Sequence, residues 1–490
     1  MAINLDNETP IGPDDAEYKA LFPNLQGNIL KGHGRDHTVH IFIRCHTQDV
    51  AETRARLRAF ATKVVTSALQ QSVESQQFKD FKLPGALFGN LFLTAKGYRA
   101  LGFTDEQIKA ALQLTENEFF LEGMQAHAEE FHDPPPIEWE PGYKNGQIDA
   151  MILLADDDKT YLLRQARILA NELALFSEIL VIELGDALRR LDNGEGIEHF
   201  GYVDGLSQPI YLRPDMPAPE NTDKWNPFQR LNRVLVREDS NVAENNGYGS
   251  FFVFRKLEQN VRGFKVKEQV LADALELQGE ERERAGAMAI GRFEDGTPVA
   301  LSQTDGFRPP KENNFTYEVD PEGLKCPFHA HIRKSNPRGD LFREHGINEN
   351  DPAKGERLRR ITRRGITYGE RNQHPNFLQA LEDLPSSGVG LLFMCFQASI
   401  TEQFAFIQRA WVNEPTFLRP NVGIDPVIGQ HSQQAVPAQN WPKQWGPQPD
   451  PSNPGGTKPP DMGQFSFEGF VRMKGGEFFF APSIPFIKGL

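Results

Sequence analysis

An α+β fold, with helices covering antiparallel sheet, is the class this sequence predicts. Three observations lead there. Segments with the two-residue period of a strand recur between segments of helical period, with long separations between the strands. The same element order occurs twice along the chain, without a residue-level repeat. At 490 residues the chain also exceeds one ordinary core, which calls for two domains or one very large one.

The elements follow in order. "HTVHIFIRC" (37–45) alternates as a half-buried strand, and residues 49–74 carry apolar residues at helical spacing. "GALFGNLFLTAKG" (85–97) predicts strand then turn, and "IDAMILLADD" (148–157) a buried strand. An amphipathic helix is expected over 159–175 and a strand over "EILVIEL" (178–184). Residues 212–247, rich in proline and polar side chains, break the pattern and read as an insertion. Beyond it, 249–257 predicts a strand and 266–291 mostly helix. "VGLLFMCFQASI" (389–400) predicts a strand, and 401–412 a helix opening on a threonine cap. The Pro-, Gly- and Gln-rich stretch 435–463 predicts a long surface loop. "FVRMKGGEFFFAPS" (470–483) predicts a hairpin turning at "KGG".

Composition narrows the function. A net charge of −14 disfavours nucleic acid and anionic membrane as partners. Three cysteines far apart, Cys45, Cys326 and Cys395, fit a reducing compartment rather than a disulfide framework. No basic-then-apolar leader and no membrane-length apolar run is visible, so a cytoplasmic location is expected. The 36 phenylalanines imply a core of large apolar rings, serving packing first and suited as well to enclosing a flat apolar ligand.

Three stretches carry candidate chemistry. In "KCPFHAHIRKSNPR" (325–338), His329 and His331 would share one face of a strand, the spacing of a divalent-metal pair. Hydrogen-bonded structural histidines explain the pair as well. His345, His374 and His431 follow at irregular spacing and complete no ligand motif. In "HFGYVDGLSQP" (199–209), Asp204 sits between Gly201 and Gly205, either as a common turn or as a carboxylate brought close to a ligand. "RLRRITRRGITYGE" (357–370) is arginine-rich without lysine. It is either a solvated face or a source of guanidinium groups that hold developing negative charge.

Taken together and in this order, "GYVDG", "CPFHAHIRKSNPR", "RRGITYG", "GLLFMCFQ" and "GGEFFFAPS" resemble the dye-decolourising peroxidases. The resemblance runs from about residue 24 to the C-terminus, interrupted mainly at 212–247, and is closest to the larger subgroup of bacteria and fungi. It implies two ferredoxin-like domains of the dimeric α+β barrel superfamily type, each an antiparallel β-sheet flanked by α-helices. The division it implies is 1–211, an insertion or linker at 212–247, and a haem-binding domain at 248–490. By the same resemblance the cofactor is haem b, one per chain, with His331 as axial ligand of the iron. Asp204 is the distal acid, Arg363 rather than Arg364 the distal arginine, and Leu391 and Phe393 the apolar pair over the distal face. Some relatives carry an asparagine where this chain has Gly365, so that amide has no role here.

Arg333 and Arg338 become candidates to neutralise the haem propionates, and Tyr368 and Trp411 candidate surface relays for electrons from bulky dyes. The implied activity is reduction of hydrogen peroxide with oxidation of aromatic dyes and phenolic reductants, through a ferryl intermediate. Asp204 would act as general base and Arg363 would stabilise charge on the departing oxygen. A carboxylate, with an ordinary pKa near ~3.9, stays a usable base in acid where a distal histidine (~6.5) would not, so an acidic optimum is expected. Two alternatives stand beside this: a haem-handling, iron-releasing protein of the same fold, and a non-haem H-x-H metal protein. The resemblance is compatible with a monomer or a homodimer.

Overall fold

The computed structural model describes residues 3–114, 119–238, 247–306, 313–348, 355–377, 379–431 and 438–490. Residues 239–246 of the expected insertion and 435–437 of the expected loop lie outside them. The described strands are β1 His37–Cys45, β2 Phe88–Leu93, β3 Ala150–Asp156, β4 Ser177–Asp186, β5 Val236–Glu238, β6 Gly247–Gln259 and β7 Thr362–Arg363. They continue with β8 Ile366–Tyr368, β9 Gly390–Gln397, β10 Gln439–Pro442, β11 Gln448–Pro449, β12 Thr457–Lys458, β13 Met462–Phe465 and β14 Val471–Ala481.

Ten of these form one antiparallel sheet in the order β4-β1-β3-β2-β14-β6-β9-β7, with β5 on β6 and β8 on β9. Strands β1 to β4 come from the part of the chain before residue 212 and the others from the part after it. The two halves meet where Phe480 of β14 pairs with Leu93 of β2. At the opposite end of the order, Leu188 N donates to Thr367 Oγ1 (3.1 Å) and Thr367 Oγ1 donates to Asp186 O, so β4 and β8 meet and the sheet curls toward closure. Closing a sheet on itself removes the unpaired edges that invite aggregation.

Phenylalanines fill the inside of this curl. Phe92 stacks on Phe252 with ring centroids 4.2 Å apart, and Phe42 meets Phe254 edge-on at 4.8 Å. Both geometries suit the quadrupoles of the rings. The abundance of phenylalanine is therefore largely packing. Helix Lys159–Leu173 shows how the outer layer forms: the Asp158 side chain accepts from Tyr161 N as an N-cap. Leu162, Ala166, Leu169 and Leu173 then fall on one buried stripe. Each fully buried leucine contributes about 2 kcal/mol, more than the propensity differences along the helix.

Several expected elements change. The helix expected over 49–74 is two, Val50–Val64 and Ala68–Phe81, because Val65 turns extended and Ser67 caps the second. The helical stretch after β6 likewise divides into Val261–Ala274 and Glu283–Ile290. Residues 401–412 form π-helical turns, and the Ser399 hydroxyl, not that of Thr401, accepts from Glu402 N (3.1 Å). The expected surface loop contains β10 to β13, with β10 pairing β13 and β11 pairing β12. Residues 470–483 hold one continuous strand rather than a hairpin. β14 shifts register between Met473 and Gly475 and keeps pairing with β6 to Ala481. Glycine is required at 475 by close approach, since a Cβ there would lie 2.3 Å from the Tyr143 ring.

Candidate functional site

A cavity of about 230 Å³ opens between the β6–β9 face, the turn around Asp204 and the helix beginning at His331. Strand alternation aims Leu391 and Phe393 of β9 into it, while Leu392 and Met394 are buried on the other side. The two arginines part at the end of β7. Arg363 lines the cavity, whereas Arg364 donates to Asn28 O (2.7 Å) and Ile29 O (3.1 Å).

His331 does not continue a strand. It opens the short helix His331–Ser335, directly after Ala330. The equivalence of the two histidines is thereby lost. His331 lines the cavity, and its Nδ1 donates to Asp425 Oδ2 at 2.8 Å. Asp425 is fully buried, with Oδ1 accepting from Val427 N (2.8 Å) and Ile428 N (3.0 Å). Burial alone would lower the His331 pKa, but the Asp425 charge and hydrogen bond outweigh it and raise it above the usual imidazole range. With Nδ1 taken, the ring has its Nε2 left for a ligand. His329 instead packs against Trp441, with ring centroids 4.2 Å apart, and burial lowers its pKa to about 3. The paired-histidine metal site is not formed, and no group of three metal-ligating side chains occurs among the described residues.

Across the cavity, Asp204 sits in a turn whose flanking glycines both have positive φ, +103° at Gly201 and +82° at Gly205. These angles are cheap only for glycine. Asp204 Oδ1 accepts from Gly205 N (2.6 Å) and from Arg363 Nη1 (2.9 Å). Oδ2 has no hydrogen-bond partner among the described residues. Arg363 is fixed in turn by Gln208, whose Oε1 accepts from Arg363 N (3.1 Å). Carboxylate and guanidinium thus face a common space while both stay about one-third exposed.

The basic residues after His331 do not behave as expected. Arg333 has no exposure and spends all five N–H donors inside the protein. They go to Asp340 Oδ2 (2.7 Å) and Oδ1 (3.0 Å), Asp320 Oδ2 (3.0 Å) and O (3.0 Å), and Cys326 O (2.6 Å). It is sandwiched between the Tyr317 and Phe328 rings and does not line the cavity, so it is no counter-charge for a propionate. Arg338 lies just behind the cavity wall, donating to Ser207 Oγ (2.8 Å), Asn313 Oδ1 (2.7 Å) and two backbone carbonyls. It has no carboxylate partner among the described residues, and its buried Nε is unsatisfied. Burial, and then nearby Arg292, push its pKa down to about 9.

Tyr368 and Trp411 are buried, at 8% and 4% exposure, so neither is a surface residue as expected. Of the nine tyrosines and five tryptophans, Tyr161 and Trp445 alone escape burial. Sequence reasoning missed Asp425, Ser207 and Gln208. It also missed Trp225, which comes from the expected insertion, lines the cavity and lies between the guanidinium groups of Arg338 and Arg360. "GIDPVIG" around Asp425 offered only a turn signal, 94 residues from its partner.

Comparison with known proteins gives a consistent picture. Residues 24–183 match a family model described as the DyP dimeric alpha+beta barrel domain. The chain is 38% identical over 498 aligned residues to the multifunctional dye peroxidase DyP2 of Amycolatopsis sp., covering 100% of both. It is 30% identical to the dye-decolorizing peroxidase msp1 of Mycetinis scorodonius, over 95% of this chain and 86% of that one. Among solved structures, the DyP-type peroxidase AnaPX of Anabaena sp. superposes with a TM-score of 0.86 at 38% identity, covering 99% of this chain and 98% of that chain.

Proposed function

The chain belongs to the dye-decolourising peroxidase family, and from that premise we propose that it is a haem peroxidase reducing hydrogen peroxide at the expense of aromatic dyes and phenolic compounds. One observation carries the proposal: a carboxylate-backed histidine and an aspartate–arginine pair line the same largely apolar cavity. The residues present fit haem. His331 offers Nε2 with Nδ1 already engaged, and Arg338 is a buried cation that pairs with no carboxylate among the described residues. In the proposal His331 holds the iron and Arg338 a propionate of a single haem b. Haem, when bound, supplies the redox chemistry of peroxide reduction.

The chain's own residues then handle protons and charge. Asp204 Oδ2 takes the proton of the bound peroxide, while Oδ1 stays anchored by Gly205 N and Arg363. The Arg363 guanidinium, held beside it, stabilises negative charge on the departing oxygen. Leu391 and Phe393 exclude water from the space between. Asp425 keeps the His331 ring oriented and its Nδ1 proton shared. Tyr368 and Trp411 stay in the proposal as interior stepping points for electrons, not as contact residues for a dye.

We further propose the division 1–211, 212–247 and 248–490. It is supported by the origin of β1 to β4 on one side and β6 to β9 and β14 on the other. A cytoplasmic location is supported by three unpaired, buried cysteines, and no helix among the described residues is long and apolar enough to cross a membrane. The absorption spectrum and peroxide-dependent turnover of an anthraquinone dye test the function together. A Soret band that His331→Ala abolishes, with dye turnover requiring peroxide, supports it. Absence of the band after supply of haem overturns it.

A further inference from the structure

The turn carrying Asp204 is filled from inside by a second carboxylate. Glu198 Oε2 accepts from Phe200 N at 2.7 Å and from the Gln259 side-chain amide, and Oε1 accepts from Tyr202 N at 3.0 Å. The backbone closes around it. Glu198 N donates to Tyr202 O (3.1 Å), Gly201 N donates to Glu198 O (2.9 Å), and Ile197 bridges Val203 as an antiparallel pair. The next residue is Asp204, whose N–H donates to Gly196 O at 3.0 Å. Gln259 ends β6, the strand that presents Leu257 and Arg255 to the cavity. From the other flank, His199 Nε2 donates to Tyr368 O at 2.9 Å and ties the turn to β8, three residues after the strand of Arg363.

A solvent-directed glutamate would leave two amide groups of this turn, Phe200 N and Tyr202 N, unsatisfied beside an apolar cavity. The carboxylate is placed to prevent that. Removal from water raises its pKa to about 7, against the pull of the three donors.

We propose that Glu198 is a positioning residue for Asp204: it clamps residues 198–203 onto β6 and so sets where the Asp204 carboxylate stands relative to Arg363. The inference rests on the peroxidase reading above. A turn shifted by an ångström changes the approach of Asp204 to a bound peroxide, the kind of misplacement that costs about 100-fold in rate.

The test uses the haem-loaded protein and four variants: Glu198→Gln, Gln259→Met, Asp204→Asn, and Glu198→Gln combined with Asp204→Asn. The bimolecular rate with hydrogen peroxide is expected to fall about 10- to 100-fold in Glu198→Gln, and less in Gln259→Met, which removes only the tether to β6. In the Asp204→Asn background, Glu198→Gln is expected to add little, because its effect passes through Asp204. Amide hydrogen exchange at Phe200 and Tyr202 should quicken in Glu198→Gln, while the Soret band stays unchanged. Equal losses in both backgrounds, or an unchanged rate in Glu198→Gln, overturn the proposal. If the unsubstituted protein binds no haem or ignores peroxide, it is the peroxidase reading that fails.

Discussion

Arg333→Leu separates two accounts of the basic cluster after His331. If this arginine neutralised a propionate, its loss would loosen haem and spare the fold. The structure requires the reverse. Its five donors serve Asp320, Asp340 and a carbonyl with no exposure to water. Leucine would leave two buried carboxylates short of a cation, and breaking one side of a buried pair costs about 3–5 kcal/mol. Both acids keep part of their support. Asp340 retains Arg343, and Asp320 still accepts from the backbone N–H groups of Leu324, Lys325 and Cys326. The lower end of that range therefore applies, about 3 kcal/mol. Unfolding entropy near 2.1 cal/mol/K per residue gives about 1 kcal/mol/K for a cooperative chain of this length, so Tm should drop by about 3 °C. Differential scanning calorimetry on protein with and without haem measures it, and the drop should be the same in both. An unchanged Tm together with faster haem loss would refute the structural role.

Three further outcomes follow from the same geometry. Asp425→Asn keeps an acceptor for His331 Nδ1 but removes its charge, and dye turnover should fall about 10- to 100-fold; turnover within twofold of the unsubstituted protein would contradict the role of Asp425. Tyr368→Phe should lose turnover of bulky dyes while retaining that of small phenols, and unchanged dye turnover would end its part in electron transfer. Stability should respond to pH with opposite signs from two sets of buried groups. His33, His40 and His329, lowered to about 3, and His199, lowered to about 4, are all shifted chiefly by burial; they stay neutral when folded but protonate below 6.5 when unfolded, so they destabilise the fold as pH falls. Glu198, Glu238 and Glu356, raised to about 7 by burial, bind protons that the unfolded chain has released above 4.5, so they destabilise as pH rises toward 7. Between pH 4.5 and 6.5 the two sets oppose one another, with Asp149, raised to about 6 by burial, joining the acids. Below 4.5 these acids no longer oppose the histidines, and ion-paired carboxylates such as Asp186 and Glu344, held low, add to the acid loss. A Tm plateau over that window with a steep acid fall is expected, and a Tm steady down to pH 3.5 would refute it.

What could be seen in the sequence was what depends on local period. Leu391 and Phe393 share a face because strands alternate, whereas the choice of Arg363 over Arg364 came from the family resemblance alone. Asp204 between two glycines marked a tight turn near a ligand, and both glycines do take positive φ. What depends on distant partners was not visible. Arg333 looked like a free cation because nothing near it in sequence reveals that Asp320 and Asp340 converge on it with Tyr317 and Phe328 above and below. The pair His329–His331 looked symmetric because strand geometry was assumed, whereas a helix starts at His331. "KGG" looked like a turn because glycines there could equally serve a bulge, and only the Tyr143 ring decides. Trp225 was hidden in a segment whose composition signalled a linker, yet it helps to wall the cavity.

The position of β14 has a consequence for biosynthesis. It lies between β2 and β6, although some 380 residues separate β2 from it along the chain. While the ribosome is still making the second half, the edge of β6 that β14 will cover presents an open row of backbone donors and acceptors. Neither half can complete its sheet until residue 481 has emerged. A nascent chain stalled earlier therefore carries the uncovered edge of β6, a strand edge of the kind that pairs with other chains.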